Sequence, residues 1–188
     1  SKLLPGHYLV LDLKSKNFQL QKYWDVYDAY NQPKLKIGEQ EAVRETERIL
    51  EKAFNYRMVA DVPVGVFLSG GYDSATLATL LQKERTEKLK TFTIGFEDPS
   101  IDEAPYARAI SSRLGTDHYE LYCTEKDALE IVEDLPFFYD EPLADNSSIP
   151  TILVSRLARQ TVTVALSADA GDEIFGGYIR YPMMQDLY

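Results

Sequence analysis

The sequence predicts an α/β protein: a twisted parallel sheet with helices on both faces, preceded by an N-terminal β-hairpin. Three observations carry this. From residue 62 onward, short runs rich in β-branched and aromatic residues alternate with helical stretches, the pattern of strands joined by crossover helices. Ser69 and Ser167 each fall just after a predicted strand and Ile94-Gly95 near the end of another, so three chain segments converge on one sheet edge, where ligands bind in such folds. Residues 1–36 stand apart, with two alternating runs flanking a turn.

Residues 8–13 and 18–24 read as the hairpin strands and 14–17 as the turn. A lone hairpin is marginal in water, so this one is expected to pack on something. Residues 31–34 read as a linker. Residues 39–58 have helical spacing, with Val43, Ile49, Leu50, Ala53 and Phe54 on one broad apolar face. The predicted strands of the main sheet are 64–68, 90–96, 118–122 and 161–166. The predicted helices are 74–84, 102–114 (with acidic residues in its first turn), 125–135, 148–159 and 172–178. Two domains are expected, 1–36 and 37–188.

The chain has 188 residues, 45% of them hydrophobic, enough for a real core. Its net charge of −10 argues against nucleic acid or an anionic membrane as main partner, since both favour a basic face. No run is long enough to span a bilayer. Cys123 is the only cysteine, which fits a reducing cytoplasm. With only His7 and His118 beside it, a His/Cys zinc site is not expected. His118 reads as structural and Cys123 as a small buried side chain.

The chemistry concentrates at Ser69-Gly70-Gly71-Tyr72-Asp73-Ser74. A buried strand, a tight loop and a helix start point backbone N–H groups and a positive helix end at one spot. Gly70 and Gly71 allow close approach of an anion, and Ser69 and Ser74 add hydroxyl donors. Asp73 repels phosphate unless it holds Mg²⁺ that bridges to it. The Gly-Lys-Ser/Thr ending of a Walker A loop is missing, so γ-phosphate transfer is not the natural reading. A plain strand-to-helix turn explains a cap; two serines, two glycines and an aspartate in this order exceed that need.

The second cluster is 167–178, with Asp169, Asp172 and Glu173 in a short loop and helix start. Mutual repulsion favours a cation or cationic substrate among them, above all at Asp172, whereas capping accounts for one or two acids. The polar loop 139–148 fits Asx-turns and a cap as well as it fits a substrate pocket.

Residues 68–74 resemble the pyrophosphate-binding loop of the ATP pyrophosphatase superfamily, whose sheet is adenine nucleotide alpha hydrolase-like. Within it the chain resembles the synthetase domain of glutamine-dependent asparagine synthetases. Further support lies in Thr91-Phe-Thr-Ile-Gly-Phe96, Asp102-Glu103 with Tyr106-Ala107, Asp117-His-Tyr-Glu120, Tyr139-Asp-Glu-Pro142 with Ile149-Pro-Thr151, and Gly171-Asp-Glu-Ile-Phe-Gly-Gly-Tyr178. These segments keep the family order over roughly residues 40–185, and residues 1–25 look like the end of the family's glutaminase domain. The resemblance implies a piece of a longer protein. The glutaminase cysteine, which Ser1 does not replace, lies before it, and a helical region with a cationic lysine lies beyond Tyr188.

The resemblance implies a ligase that uses Mg²⁺ and ATP to adenylate the β-carboxylate of aspartate, releasing pyrophosphate. Ammonia from glutamine then displaces AMP to give asparagine. Leu68 and Ile94 should contact adenosine. Ser69, Gly70, Gly71 and Ser74 should hold pyrophosphate. Asp73 and Asp172 should bind Mg²⁺, Ser167 and Ala168 should lie against the nucleotide, and Asp169 should assist formation of the intermediate. A cytoplasmic protein is implied, and a homodimer is left open. Where this chain has Ala168 and Ala170, the family has glycine, and an added methyl penalises positive φ and crowds a nucleotide. Two alternatives stay open: a related adenylating enzyme, β-lactam synthetase-like, acting on another carboxylate, and a degenerate nucleotide-binding module without catalysis. Tyr72 is expected to face away from the ligand.

Overall fold

The computed structural model describes residues 2–140 and 142–185. Ser1, Glu141 and Tyr188, which the sequence analysis invokes, lie outside the described residues. Two compact units are present, Ser1–Arg44 and Glu45–Tyr188.

In the first unit, β1 (His7–Leu11) pairs antiparallel with β2 (Phe18–Lys22). The first strand stops short of the expected residue 13 because the Asp12 carboxylate accepts the N–H groups of Lys14 (2.8 Å) and Ser15 (3.2 Å) and starts the turn. The hairpin's apolar side chains, Leu9, Val10, Leu11 and Leu20 among them, are exposed. A short helix that the sequence analysis did not expect, α1 (Val26–Tyr30), starts where the Asp25 carboxylate accepts the Tyr27 N–H (2.7 Å). Helix α2 (Glu39–Arg57) follows as expected, and the unit boundary falls within it.

The second unit holds the parallel sheet. Its strands are β3 (Val64–Phe67), β4 (Lys90–Phe96), β5 (Asp117–Cys123) and β6 (Val164–Leu166), in the order β5-β4-β3-β6. Strand β4 lies between two neighbours and is buried almost throughout, as its run of Thr, Phe and Ile predicts. One face of the sheet packs Val66 and Leu68 against Leu77, Ala78 and Leu81 of α3 (Tyr72–Gln82), Ala107 of α4 (Ala104–Leu114) and Phe54 of α2. The small residues Ala104, Ala107 and Ser111 let α4 approach closely. Three further helices are α5 (Glu125–Val132), α6 (Leu135–Phe138) and α7 (Ser148–Arg159). The other face packs Phe92 and Phe67 against Val154, Leu157 and Ala158 of α7. A third cluster joins Cys123 and Ile94 to Ile131 of α5 and to Ile152 and Leu153 of α7.

Several expected boundaries move for local reasons. Asp102 and Glu103 precede α4 rather than forming its first turn. The Asp102 carboxylate accepts the N–H groups of Phe96 (3.2 Å) and Ala104 (3.1 Å), tying the end of β4 to the helix start. The helix expected over 125–135 divides into α5 and α6, since Pro136 in the first turn of α6 cannot continue the earlier helix. Strand β6 is shorter than 161–166 because the N–H groups of Thr161 and Val162 turn back to the Ala158 carbonyl at the end of α7 (3.0 and 2.8 Å). The helix expected to reach 178 is α8 (Gly171–Phe175), closed by left-handed Gly176, and α9 (Arg180–Gln185) follows. Among the described residues no helix is long and apolar enough to cross a membrane.

Candidate active site

The strand order creates the site. From β3 the chain steps outward to β4 and β5, then returns as β6 on the other side of β3. The change of direction opens a crevice beyond the carboxyl ends of β3 and β6. The loop after β3 and the loop after β6 form its walls, in a cleft of about 490 Å³. Ser69, Asp73, Ser74, Ser167, Ala168, Asp169 and Asp172 all line it, together with Phe67, Ala170, Gly171, Glu173 and Tyr178.

The β3 loop is built around Gly70 and Gly71. Gly70 has φ +91°, and a β-carbon there would lie 2.9 Å from Tyr106 Cβ and 3.0 Å from the Glu103 carbonyl, so the loop sits directly on the start of α4. Gly71 is the N-cap of α3, with no side chain satisfying the helix N–H groups. The Ser74 hydroxyl accepts the Ser69 N–H (3.1 Å), lies 3.1 Å from Ser69 Oγ and donates to the Gly71 carbonyl (3.2 Å). Ser74 is thus engaged within the loop, whose curvature it holds, while Tyr72 is 94% exposed and faces solvent.

On the opposite wall, the Asp73 carboxylate reaches from α3 to lie against Gly171, in the space a side chain there would fill. Asp172 folds back on Gly177 in the same manner. Ala170 has φ +74°, the left-handed conformation the sequence analysis feared for an alanine, whereas Ala168 is not among the positive-φ residues and packs against the β3–α3 core cluster. The Glu173 carboxylate accepts the Tyr178 hydroxyl (2.8 Å), a bond that pushes the phenol's pKa up. Among the described residues, no three His, Cys, Asp or Glu side chains form a ready-made metal cage. Asp73 and Asp172, two carboxylates on one cleft, fit an ion that takes its remaining ligands from phosphate and water, as Mg²⁺ does.

A second cavity of about 260 Å³ opens on the far side of the β3 loop and shares Phe67 and Ser69 with the first. Leu68 and Ile94 line it. Phe92, Phe96, Ile101 and Val154 make its walls apolar, which suits a flat base. Glu103, Pro150 and Thr151 here, and Tyr178 in the neighbouring cleft, lie in segments quoted for the resemblance but were given no role, and Phe67 was not singled out. Phe67 and Phe96 sit at strand ends beside residues already singled out, a signal that could have found them.

The loop 139–148 takes the simpler of its two readings at one end: Asp145 Oδ1 accepts both the N–H and the hydroxyl of Ser147 (2.8 Å each), an Asx turn. Leu135, Pro136, Tyr139 and Leu143 line a separate apolar pocket. His118 lies in β5, paired in register with Thr91 of β4. Its Nδ1 lies 2.8 Å from Thr91 Oγ1, and its Nε2 lies 3.1 Å from Glu120 Oε1 without hydrogen-bond alignment. Burial pulls its pKa down, and burial pushes the Cys123 thiol up.

A parallel sheet with a glycine-rich loop at its switch point and acidic side chains across the crevice defines the class of open α/β domain whose ligand crevice lies beyond its strand ends. Glutamine-dependent NAD⁺ synthetase from Acinetobacter baumannii, solved with adenosine diphosphate, shares the fold: TM-score 0.51 and 22% identity, covering 89% of this chain and 31% of that one. The asparagine synthase family model matches residues 45–187, and the chain belongs to that family. A Methanocaldococcus jannaschii protein provisionally named asparagine synthetase (glutamine-hydrolyzing) 2 is 40% identical over 185 residues, covering 96% of this chain and 34% of its own length. Asparagine synthetase (glutamine-hydrolyzing) 1 of Bacillus subtilis is 36% identical over 143 residues, covering 76% and 22%. The chain therefore spans about a third or less of these relatives.

Proposed function

We propose that this chain is the nucleotide-activating part of a glutamine-dependent asparagine synthetase. One observation carries the reading: Asp73 and Asp172, from loops about a hundred residues apart, line one cleft with Ser69, and that cleft adjoins the apolar cavity of Leu68 and Ile94. ATP spans the two, with its base between Ile94 and α7 and its phosphates over Ser69, Gly70, Gly71 and the start of α3. An aspartate β-carboxylate oxygen attacks the α-phosphorus, the bond to the bridging oxygen breaks, and pyrophosphate leaves. Ammonia then attacks the activated carbonyl carbon and AMP leaves, giving asparagine.

Negative charge grows on the departing pyrophosphate, so the N–H groups at the start of α3 do most of their work there. Asp73 and Asp172 would hold Mg²⁺, which would supply charge neutralisation at the same place. Ser167 and Ala168 flank the nucleotide, and Asp169, on the same wall, orients the attacking carboxylate. A glutaminase domain, of which residues 1–36 are the last part, delivers the ammonia. Small molecules in a cytoplasmic setting are the partners of this reading.

The test is aspartate-dependent exchange of labelled pyrophosphate into ATP by the full-length protein with Mg²⁺. Exchange with aspartate is expected, and its absence overturns the reading. Exchange with a different carboxylate assigns a β-lactam synthetase-like substrate. ATP binding without exchange to any carboxylate assigns a degenerate module.

A further inference from the structure

We infer that Thr93, in β4 and on the wall of the second cavity, is the positioning residue that sets the phosphate loop. The inference rests on the nucleotide reading. The Leu68 N–H reaches the Phe92 carbonyl (2.9 Å), carrying the β3–β4 ladder one step past the strand. The next rung of a parallel ladder would run from the Ile94 N–H to the Leu68 carbonyl. The Thr93 hydroxyl donates to that carbonyl in its place. Thr93 is 2% exposed, so its hydroxyl has no competing water, and an unmatched carbonyl there would be a buried loss.

The bond reaches beyond its own acceptor because a peptide group is planar. The Leu68 C=O and the Ser69 N–H belong to one plane and point opposite ways. Holding the carbonyl toward β4 aims the Ser69 N–H at Ser74 Oγ (3.1 Å), and Ser74 passes the constraint to the Gly71 carbonyl (3.2 Å). A chain of bonds thus runs from a rigid central strand through Leu68 and Ser69 of the loop and Ser74 of α3 to Gly71, the helix N-cap. The chain also leaves the Ile94 N–H facing the gap where β3 has departed, on the cavity that Ile94 lines.

The experiment compares Thr93→Val, which keeps shape and removes the hydroxyl, with Thr93→Ser, which keeps the hydroxyl. Dissociation constants for ATP and for inorganic pyrophosphate, both with Mg²⁺, are measured by calorimetry on the full-length protein well below each variant's Tm. Thr93→Val is expected to weaken both about tenfold, and Thr93→Ser to stay within about twofold of wild type. If Thr93→Val does not fold, Thr93→Ala carries the same expectation. A hydroxyl-free variant that binds as wild type does, or a serine variant as impaired as valine, overturns the inference and leaves the nucleotide reading standing. A wild-type protein that binds neither ligand overturns both.

Discussion

The Asp73 carboxylate occupies the volume that a side chain at Gly171 would need. One residue sits at the start of α3 and the other at the start of α8, so this contact joins the two walls of the cleft. A side chain at 171 would have to push that carboxylate aside, whereas the backbone makes no demand for glycine, since its φ is outside the left-handed range.

Gly171→Ala is therefore expected to displace Asp73 and to lower pyrophosphate exchange about 100-fold in the full-length protein. Asp73→Asn, which keeps the volume and removes the charge, should lose at least as much. Retained exchange in Gly171→Ala would show that Asp73 does not need its present place.

Ala170→Gly tests the opposite case. An L-residue at φ +74° carries roughly 1–2 kcal/mol of strain, part of which is offset by the added freedom of glycine in the unfolded chain. A gain of up to about 1 kcal/mol is expected, read as a rise of about 2–4 °C in Tm. A drop in Tm would mean that the Ala170 methyl makes contacts outweighing its strain.

The core offers a plain control. Phe92 is fully buried, stacks on Tyr119 with ring centroids 5.2 Å apart and packs against α7. Phe92→Ala should lower stability by about 3–5 kcal/mol in denaturant titrations. A loss under about 1 kcal/mol would contradict the packing of β4 beneath α7.

Stability should also depend on pH through the pair at β5. Burial depresses the His118 pKa, so its contribution is full above the unfolded value of about 6.5 and is lost as pH falls through the lower folded value. The Arg108 guanidinium, bonded to both oxygens of Glu120 (2.9 and 2.6 Å), holds that carboxyl below its usual range. Its contribution is lost only as pH falls below about 4.3. Urea midpoints should thus begin to fall below about pH 6.5 in the wild type and only in the acid range in His118→Gln. Identical profiles would refute the assignment to His118.

The strands and most helices were legible because they rest on local patterning: β4 and α7 follow hydrophobic runs with clear ends. The loops 69–74 and 167–173 were legible as chemistry, since their glycines and acids exceed what turns need. The breaks were harder. Pro136 splitting one helix and Thr161-Val162 turning back on α7 depend on where the preceding helix ends, which propensity does not encode. Glu103 and Thr151 lie in segments the resemblance marks, but that they reach one cavity follows only from α4 and α7 packing against β4. Thr93 lay inside a recognised strand, its hydroxyl indistinguishable from an ordinary β-branched choice.

The register of the sheet has a consequence for how the cleft comes into being. Gly65 meets Lys90 across a short stretch of chain, but Val64 meets Val164 only after a hundred residues. Closing the longer loop is slower, so β6 is expected to dock last during folding. The loop from Ser69 to Ser74 is then shaped early by β4 and α4, and it waits with one open side until the acidic wall arrives.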